Sequence, residues 1–307
     1  MSNETMDDTF DCIIIGGGVA GLSAALILGR ARRRVLVIDS GSPINQSVEH
    51  SHGFLTRDGS SPAEIRSISI EQLAQYDVTF HDGEVVTVVE GDGEFSLTCA
   101  DGVQFVGERI ILATGMTLDL PQIEGLRETW GIGSANCPYC HGWEVRDEPW
   151  AVVVGSGMDA ATVTHYVTLL RTWTNDLTVF TSGAAVGDVS GLAALGVGVR
   201  TEKITRIEHD GSGNVTGVAL ASGEIVARSA VFVAVMPSYR GDLPVQLALD
   251  TDAGGWPLVG LWSVTSNSRV FAAGNAATPF ANLIVSAGDG AKAAVGANTS
   301  LVLALQH

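Results

Sequence analysis

Cys137-Pro138-Tyr139-Cys140-His141 sets two cysteines three positions apart, with a histidine directly behind them. Three chemistries suit such a pair: zinc binding, a structural disulfide and a redox disulfide. Structural zinc needs four ligands, commonly a second Cys-x-x-Cys or two histidines. His141 adjoins Cys140, an awkward place from which to close a tetrahedron with both sulfurs. Cys12 and Cys99 stand alone on predicted strands and read as small buried hydrophobes. No metal ligand set is assigned. The redox reading suits the spacing best, because two intervening residues let the sulfurs bond and such motifs have depressed thiol pKa values. Pro138 stiffens the turn. His141 can supply positive charge or exchange protons near neutral pH. The candidate catalytic residues are therefore Cys137, Cys140 and His141.

Such a pair needs elements to hold it and a second redox partner. "FDCIII" (10–15) is an apolar run rich in β-branched residues, followed by "GGGVAG" and the helical segment "LSAALILGR". "RRVLVIDSG" then reads as a second strand, ending in Asp39. This is a βαβ unit. In Gly16-x-Gly18-x-x-Gly21 the first glycine permits the turn, the second admits a pyrophosphate and the third lets helix and strand pack. Asp39 lies where the ribose hydroxyls of an adenine dinucleotide are read. A second βαβ unit starts at Trp150, with Gly155-x-Gly157-x-x-Ala160 at its turn. Its next strand ends in Thr181-Ser182-Gly183, offering neither the acid that suits NADH nor the arginines that suit NADPH. A nicotinamide-type fold is expected there, and NADPH itself is doubtful.

The chain has 307 residues, enough for two domains, and 46% of them are apolar. Its formal net charge of -17 argues against nucleic acid or an anionic membrane as partner. "MSNETMDDTF" lacks the basic start and apolar run of a secretory signal. The uncharged run 12–29 reads as a nucleotide turn rather than a membrane span. Four cysteines are too few for a disulfide framework, so a reducing, cytoplasmic setting is expected. A helix is predicted over 64–76, and an antiparallel stretch over 78–113. Tyr139 and Trp143 read as packed aromatics, Tyr239 and Arg240 as interdomain contacts. "AGDGAKAA" (287–294) reads as the turn opening a last helix.

Taken in order, "IIGGGVAGLSAA", "IILATG" (110–115), Cys137-x-x-Cys140, "VVGSGMDAA" and "RVFAAGN" resemble the low-molecular-weight thioredoxin reductase family of FAD-dependent disulfide oxidoreductases. The resemblance implies an α/β fold of two Rossmann-like domains of the three-layer ββα type, FAD-binding and NAD(P)-binding-like. The central domain, 118–237, is inserted into a discontinuous FAD domain, 1–117 plus 238–307. Carried onto this sequence, the FAD contacts are Gly16, Gly18, Val19, Ala20, Gly21, Asp39, Ser40, Asn45, His52, Val86, Ala113, Thr114, Gly115, Gly274, Asn275 and Ala287. The resemblance also implies that Cys140 faces the flavin, that Cys137 exchanges with substrate, and that the protein is a homodimer.

Three departures from the family pattern stand out: His141 where aspartate is usual, no basic cluster at 181–183, and Asn275 where the family has aspartate. "CPYCHG" and "HGFLTRDG" (52–59) are similar to the dithiol oxidase branch, which closes disulfides in small dithiols and passes electrons to oxygen without NADPH. The alternatives are an NAD(P)H- or ferredoxin-dependent reductase acting on a thioredoxin-like protein, and a flavin redox switch with no turnover. The expected partner is a small dithiol or disulfide, or such a protein.

Overall fold

A computed structural model describes residues 9–184 and 186–306. The N-terminal residues 1–8, read above for the lack of a secretory signal, lie outside the described residues. Two compact units form. The first comprises residues up to Gln46, Ala63–Thr117 and the chain from Ser238 onward; the second comprises Ser47–Pro62 and Leu118–Pro237. The sequence reading kept 47–62 in the first domain, whereas its contacts group it with the second unit.

In the first unit, β1 (Thr9–Ile15) is buried on both faces. Cys12 and Ile14 join one apolar cluster, while Ile13 and Ile15 join the other. That two-sided burial is why its apolar run is continuous rather than alternating. α1 (Val19–Arg30) and β2 (Val35–Asp39) complete the first βαβ unit. α2 (Pro62–Leu73) starts on a proline, which the first helical turn tolerates. β3 (Val78–Asp82), β4 (Val85–Glu90), β5 (Phe95–Cys99) and β6 (Gln104–Leu112) follow. The sheet order is β3-β2-β1-β6-β5-β4, with Val270–Ala272 also pairing β6. β3 was read into the antiparallel stretch, but it runs parallel to β2, with Val35 opposite Val78. The connection through α2 is long enough for a crossover, and crossovers return strands in parallel.

The last helix also differs from its reading. It spans Leu283–Ala304, and Asn282 caps it by accepting from the Val285 N–H. Residues 287–294 therefore lie inside the helix. Gly290 survives there because a Cβ would collide with the Ala20 carbonyl of α1. The glycine marks close helix packing rather than a turn.

The second unit repeats the plan. A parallel sheet contains Gly198–Arg200, Leu177–Phe180, Trp150–Val154, Ala230–Ala234 and Ser134–Ala135, in that order. A separate antiparallel sheet contains Ile204–His209, Val215–Leu220 and Ile225–Ala227. Among the described residues, no helix is long and apolar enough to cross a membrane.

Candidate active site

β1 delivers the chain to Gly16, and α1 begins three residues later with Gly18 as its N-cap. Gly16 has φ +111°, and a Cβ there would strike the Ala113 carbonyl. A Cβ on Gly21 would strike the carbonyl of Gly16. Gly18 has open space around it, no side chain caps α1, and its first turn carries no acid. The first N–H groups of α1 are thus left for an anion, with the positive end of the helix dipole behind them. This cradle fits the pyrophosphate of a dinucleotide. Asp39 ends β2, and its Oδ2 accepts from Arg66 Nη2 at 3.0 Å. Gly17 permits that placement, since a Cβ on it would lie 2.7 Å from the same oxygen.

The other cofactor candidates in this unit vary in how closely they join the cradle. Ala113, Thr114 and Gly115 (φ +78°) follow β6, and Thr114 donates its hydroxyl to Tyr239. Gly274 (φ +61°) packs against Ala20, where a Cβ would approach within 2.8 Å. Asn275 Nδ2 is committed to the carbonyls of Thr278 and Ala281. Ser40 is exposed and Asn45 half-buried in the loop after β2, Val86 is exposed on β4, and Ala287 sits within the last helix. Tyr239 and Arg240, read as interdomain contacts, bond within the first unit, Arg240 donating to the Ser42 carbonyl. Replacing Gly21 by Ala is expected to loosen FAD about 5- to 150-fold, the equivalent of ~1–3 kcal/mol of overpacking. The check is flavin retained on gel filtration of parent and variant.

In the second unit the corresponding turn is capped differently. Gly157 has φ +77°, but the helix Ala160–Leu170 starts only after Asp159, which is its N-cap. Asp159 Oδ1 accepts from the Thr162 N–H at 2.7 Å. Backbone and hydroxyl hydrogen bonds from Thr162 hold its carboxyl below the ordinary carboxylate range, so it is anionic at neutral pH. An anionic side chain therefore stands at the N-terminus of this helix. At the end of Leu177–Phe180, Thr181 is buried and Ser182 Oγ accepts from the Ile204 N–H at 3.0 Å. Arg200, on the neighbouring strand, has its guanidinium on Glu224 at 3.0 Å.

Also in the second unit, Cys137 and Cys140 are joined as a disulfide, their Cα atoms 5.3 Å apart. Cys137 caps the single turn Pro138–His141, and the Cys140 N–H donates to the Cys137 carbonyl. Tyr139 and Trp143 flank the pair and, against the packed reading, are 68% and 66% exposed. Tyr139 meets only the edge of Trp173, and Trp143 carries Arg146 over its ring at 4.0 Å.

His141 differs from its surroundings. Both ring nitrogens are shielded from solvent, and neither makes a hydrogen bond of normal geometry, although backbone groups of Gly131 and Cys137 lie nearby. Burial lowers its pKa, against an opposing pull from Glu144. The imidazole also lines a pocket of about 160 Å³ shared with His50, His52, Glu49 and Glu144. His52, carried over as a flavin contact, lies in this unit, with Nδ1 3.6 Å from Asp58 and Nε2 3.5 Å from Glu144. Asp58 is fixed in turn by the Gly53 N–H at 2.7 Å.

Sequence reasoning passed over Gly17, Asp159, Asp58 and Glu144. Asp159 had a signal: an aspartate directly before a helical run is an N-cap pattern. Asp58 and Glu144 had none, because a fold contact pairs them with His52.

Comparison with known proteins places these features in context. The family model for pyridine nucleotide-disulphide oxidoreductases matches residues 10–295. The chain is 31% identical to "Thioredoxin reductase sirT" of Leptosphaeria maculans, covering 96% of this chain and 95% of that protein. Among solved structures it resembles HlmI, with a TM-score of 0.90 and 37% identity over 97% of this chain and 94% of that one. It also resembles the putative thioredoxin reductase TrxB of Bacillus anthracis, with a TM-score of 0.89 and 30% identity over 95% and 98% of the two chains.

Proposed function

The chain belongs to the pyridine nucleotide-disulphide oxidoreductase family and is a thioredoxin reductase-like flavin enzyme, and from that premise we propose that it oxidises small dithiols to disulfides without a nicotinamide cofactor, with dioxygen as electron acceptor. The observation that carries this reading is the contrast between its two glycine turns. The first leaves the α1 N–H groups uncapped, whereas the second spends them on Asp159 and has no cation at 181–183.

Gly16, Gly18, Gly21, Asp39 and Gly274 would hold FAD. When bound, FAD supplies the two-electron chemistry that returns the thiol pair to a disulfide and reduces dioxygen to hydrogen peroxide. The protein's own part is thiol exchange. A substrate thiolate attacks Cys137 Sγ, breaking its bond to Cys140 Sγ and releasing a Cys140 thiolate. The second substrate thiol then attacks the substrate sulfur of the mixed disulfide, releasing the cyclic disulfide and Cys137 as a thiol. Two electrons and two protons leave the substrate in all. His141, neutral and unpartnered, takes the proton of the attacking thiol. The exposed faces of Tyr139 and Trp143 offer flat apolar surface to a small ring-bearing dithiol.

Oxygen uptake tests this directly. A model dithiol added in air, with no nicotinamide present, should drive oxygen consumption and disulfide formation in equal amounts. Absence of both removes the reading.

A second reading has electrons entering from NADPH and leaving to a thioredoxin-like protein. The relatives' names and the retained Gly155–Gly157 turn favour it. If Asp159 is what closes that turn, Asp159→Ser combined with arginines at Thr181 and Ser182 should gain NADPH binding by at least tenfold. Flavin reduction by NADPH in parent and variant is the measurement. A homodimer in the cytoplasm completes the proposal, and sedimentation would give its mass.

A further inference from the structure

His81 lies near the end of β3, Cys99 closes β5, and Asp101 stands in the turn that follows. All three belong to the first unit, where His81 lies opposite Ile38 of β2 and Cys99 opposite Val85 of β4. One nitrogen, one sulfur and one carboxylate oxygen from them lie within 4.8 Å of one another. His81 Nε2 is 3.4 Å from Asp101 Oδ2, yet it is shielded from solvent and makes no hydrogen bond. A shielded ring nitrogen without a partner is rare in folded proteins and calls for an unseen partner such as an ion.

We propose that His81, Cys99 and Asp101 form a divalent-metal site suited to zinc, with a fourth position open to water. The spacing fits. Tetrahedral bonds of about 2.1 Å set neighbouring nitrogen and oxygen ligands about 3.4 Å apart. The His81–Asp101 separation is already that edge, which is long for a hydrogen bond. Cys99 Sγ lies within 4.8 Å of both. A donor set of one imidazole, one thiolate and one carboxylate selects zinc over calcium or magnesium, which take oxygen ligands.

The surroundings hold these ligands in place. Asp101 Oδ1 accepts from the Val103 N–H at 3.0 Å, leaving Oδ2 for His81. The Phe105 ring meets the imidazole edge-on at 4.9 Å. Gly83 leaves room for the imidazole, since a Cβ there would lie 2.9 Å from Nε2. Such outer contacts fix ligand orientation in metal sites. Asp101 is half exposed, giving the ion an entry from solvent. A bound ion would tie edge strand β3 to the end of β5. The site is independent of the dithiol reading.

The test is equilibrium dialysis of the full-length, flavin-loaded protein against Zn²⁺, with Cys137–Cys140 kept oxidised so that it cannot ligate. Co²⁺ serves as an optical reporter through its thiolate charge-transfer band, read as a difference spectrum against metal-free protein. The proposal requires one Zn²⁺ per chain and a melting temperature raised by zinc. Cys99→Ser and His81→Gln should lose the ion, the cobalt band and the zinc-dependent rise. Should Cys99→Ser not fold, the exposed Asp101→Asn variant serves in its place. Failure of the parent to retain zinc overturns the proposal, as does equal zinc binding by the variants.

Discussion

Cys137→Ser is expected to abolish dithiol-dependent oxygen uptake, by on the order of 10⁴-fold or more, the scale on which removing a nucleophilic partner acts. Its flavin content should match the parent, because the glycine cradle of α1 and the cysteine pair belong to different units. Without Cys137 there is no disulfide for the substrate thiolate to attack, and the Cys140 thiol has no bond from which to leave. Cys140→Ser should be equally inactive in turnover. The two variants differ in one observable: in Cys140→Ser the Cys137 thiolate can attack an added linear disulfide, expelling one of its thiolates, and the mixed disulfide left on Cys137, with no Cys140 to resolve it, can be weighed by mass spectrometry. If the protein were a redox switch without turnover, steady-state activity would be the same in the parent and in Cys137→Ser.

His141→Asn is the second large effect, a fall in the dithiol rate of about 10²–10⁴-fold, the usual contribution of a positioned acid–base group. Its pH profile distinguishes this role from a packing role. Burial lowers the His141 pKa from its ordinary value of 6.5, so the imidazole is neutral and competent as a base at pH 7. On top of the fall with loss of substrate thiolate, a further acid limb should set in below pH 6.5, as the ring takes up a proton. In the parent this acid limb should be present; in His141→Asn it should vanish, leaving only the rise with substrate-thiol ionisation. A variant that merely packed badly would lose rate and keep the limb.

Much of the fold could be read along the chain because its strongest signals are local. The run Cys12–Ile15, the glycines after it and Asp39 lie within one βαβ unit, and each has its steric reason within a few residues. The cysteine pair was legible for the same reason. Contacts between distant segments were not. β3 looks like its antiparallel neighbours, and only its pairing with β2 makes it parallel. Residues 287–294 look like a turn because glycines usually break helices; the Ala20 carbonyl, more than 260 positions earlier, explains Gly290. His52 was carried over to the flavin, and its neighbours Asp58, Glu144 and His141 could not be read from spacing, because the fold brings them together. Asp159 lies between these cases. Its capping role is local, but the two glycines before it drew the reading towards a nucleotide.

The central claim is that electrons enter from a thiol and not from a nicotinamide. Anaerobic titration of the purified flavoprotein, first with NADPH, then NADH, then a dithiol, tests it most directly through the visible flavin spectrum. The account predicts an unchanged spectrum with both nicotinamides and full bleaching with one equivalent of dithiol beyond that needed to reduce Cys137–Cys140. Rapid bleaching by NADPH, with none by the dithiol, would contradict it.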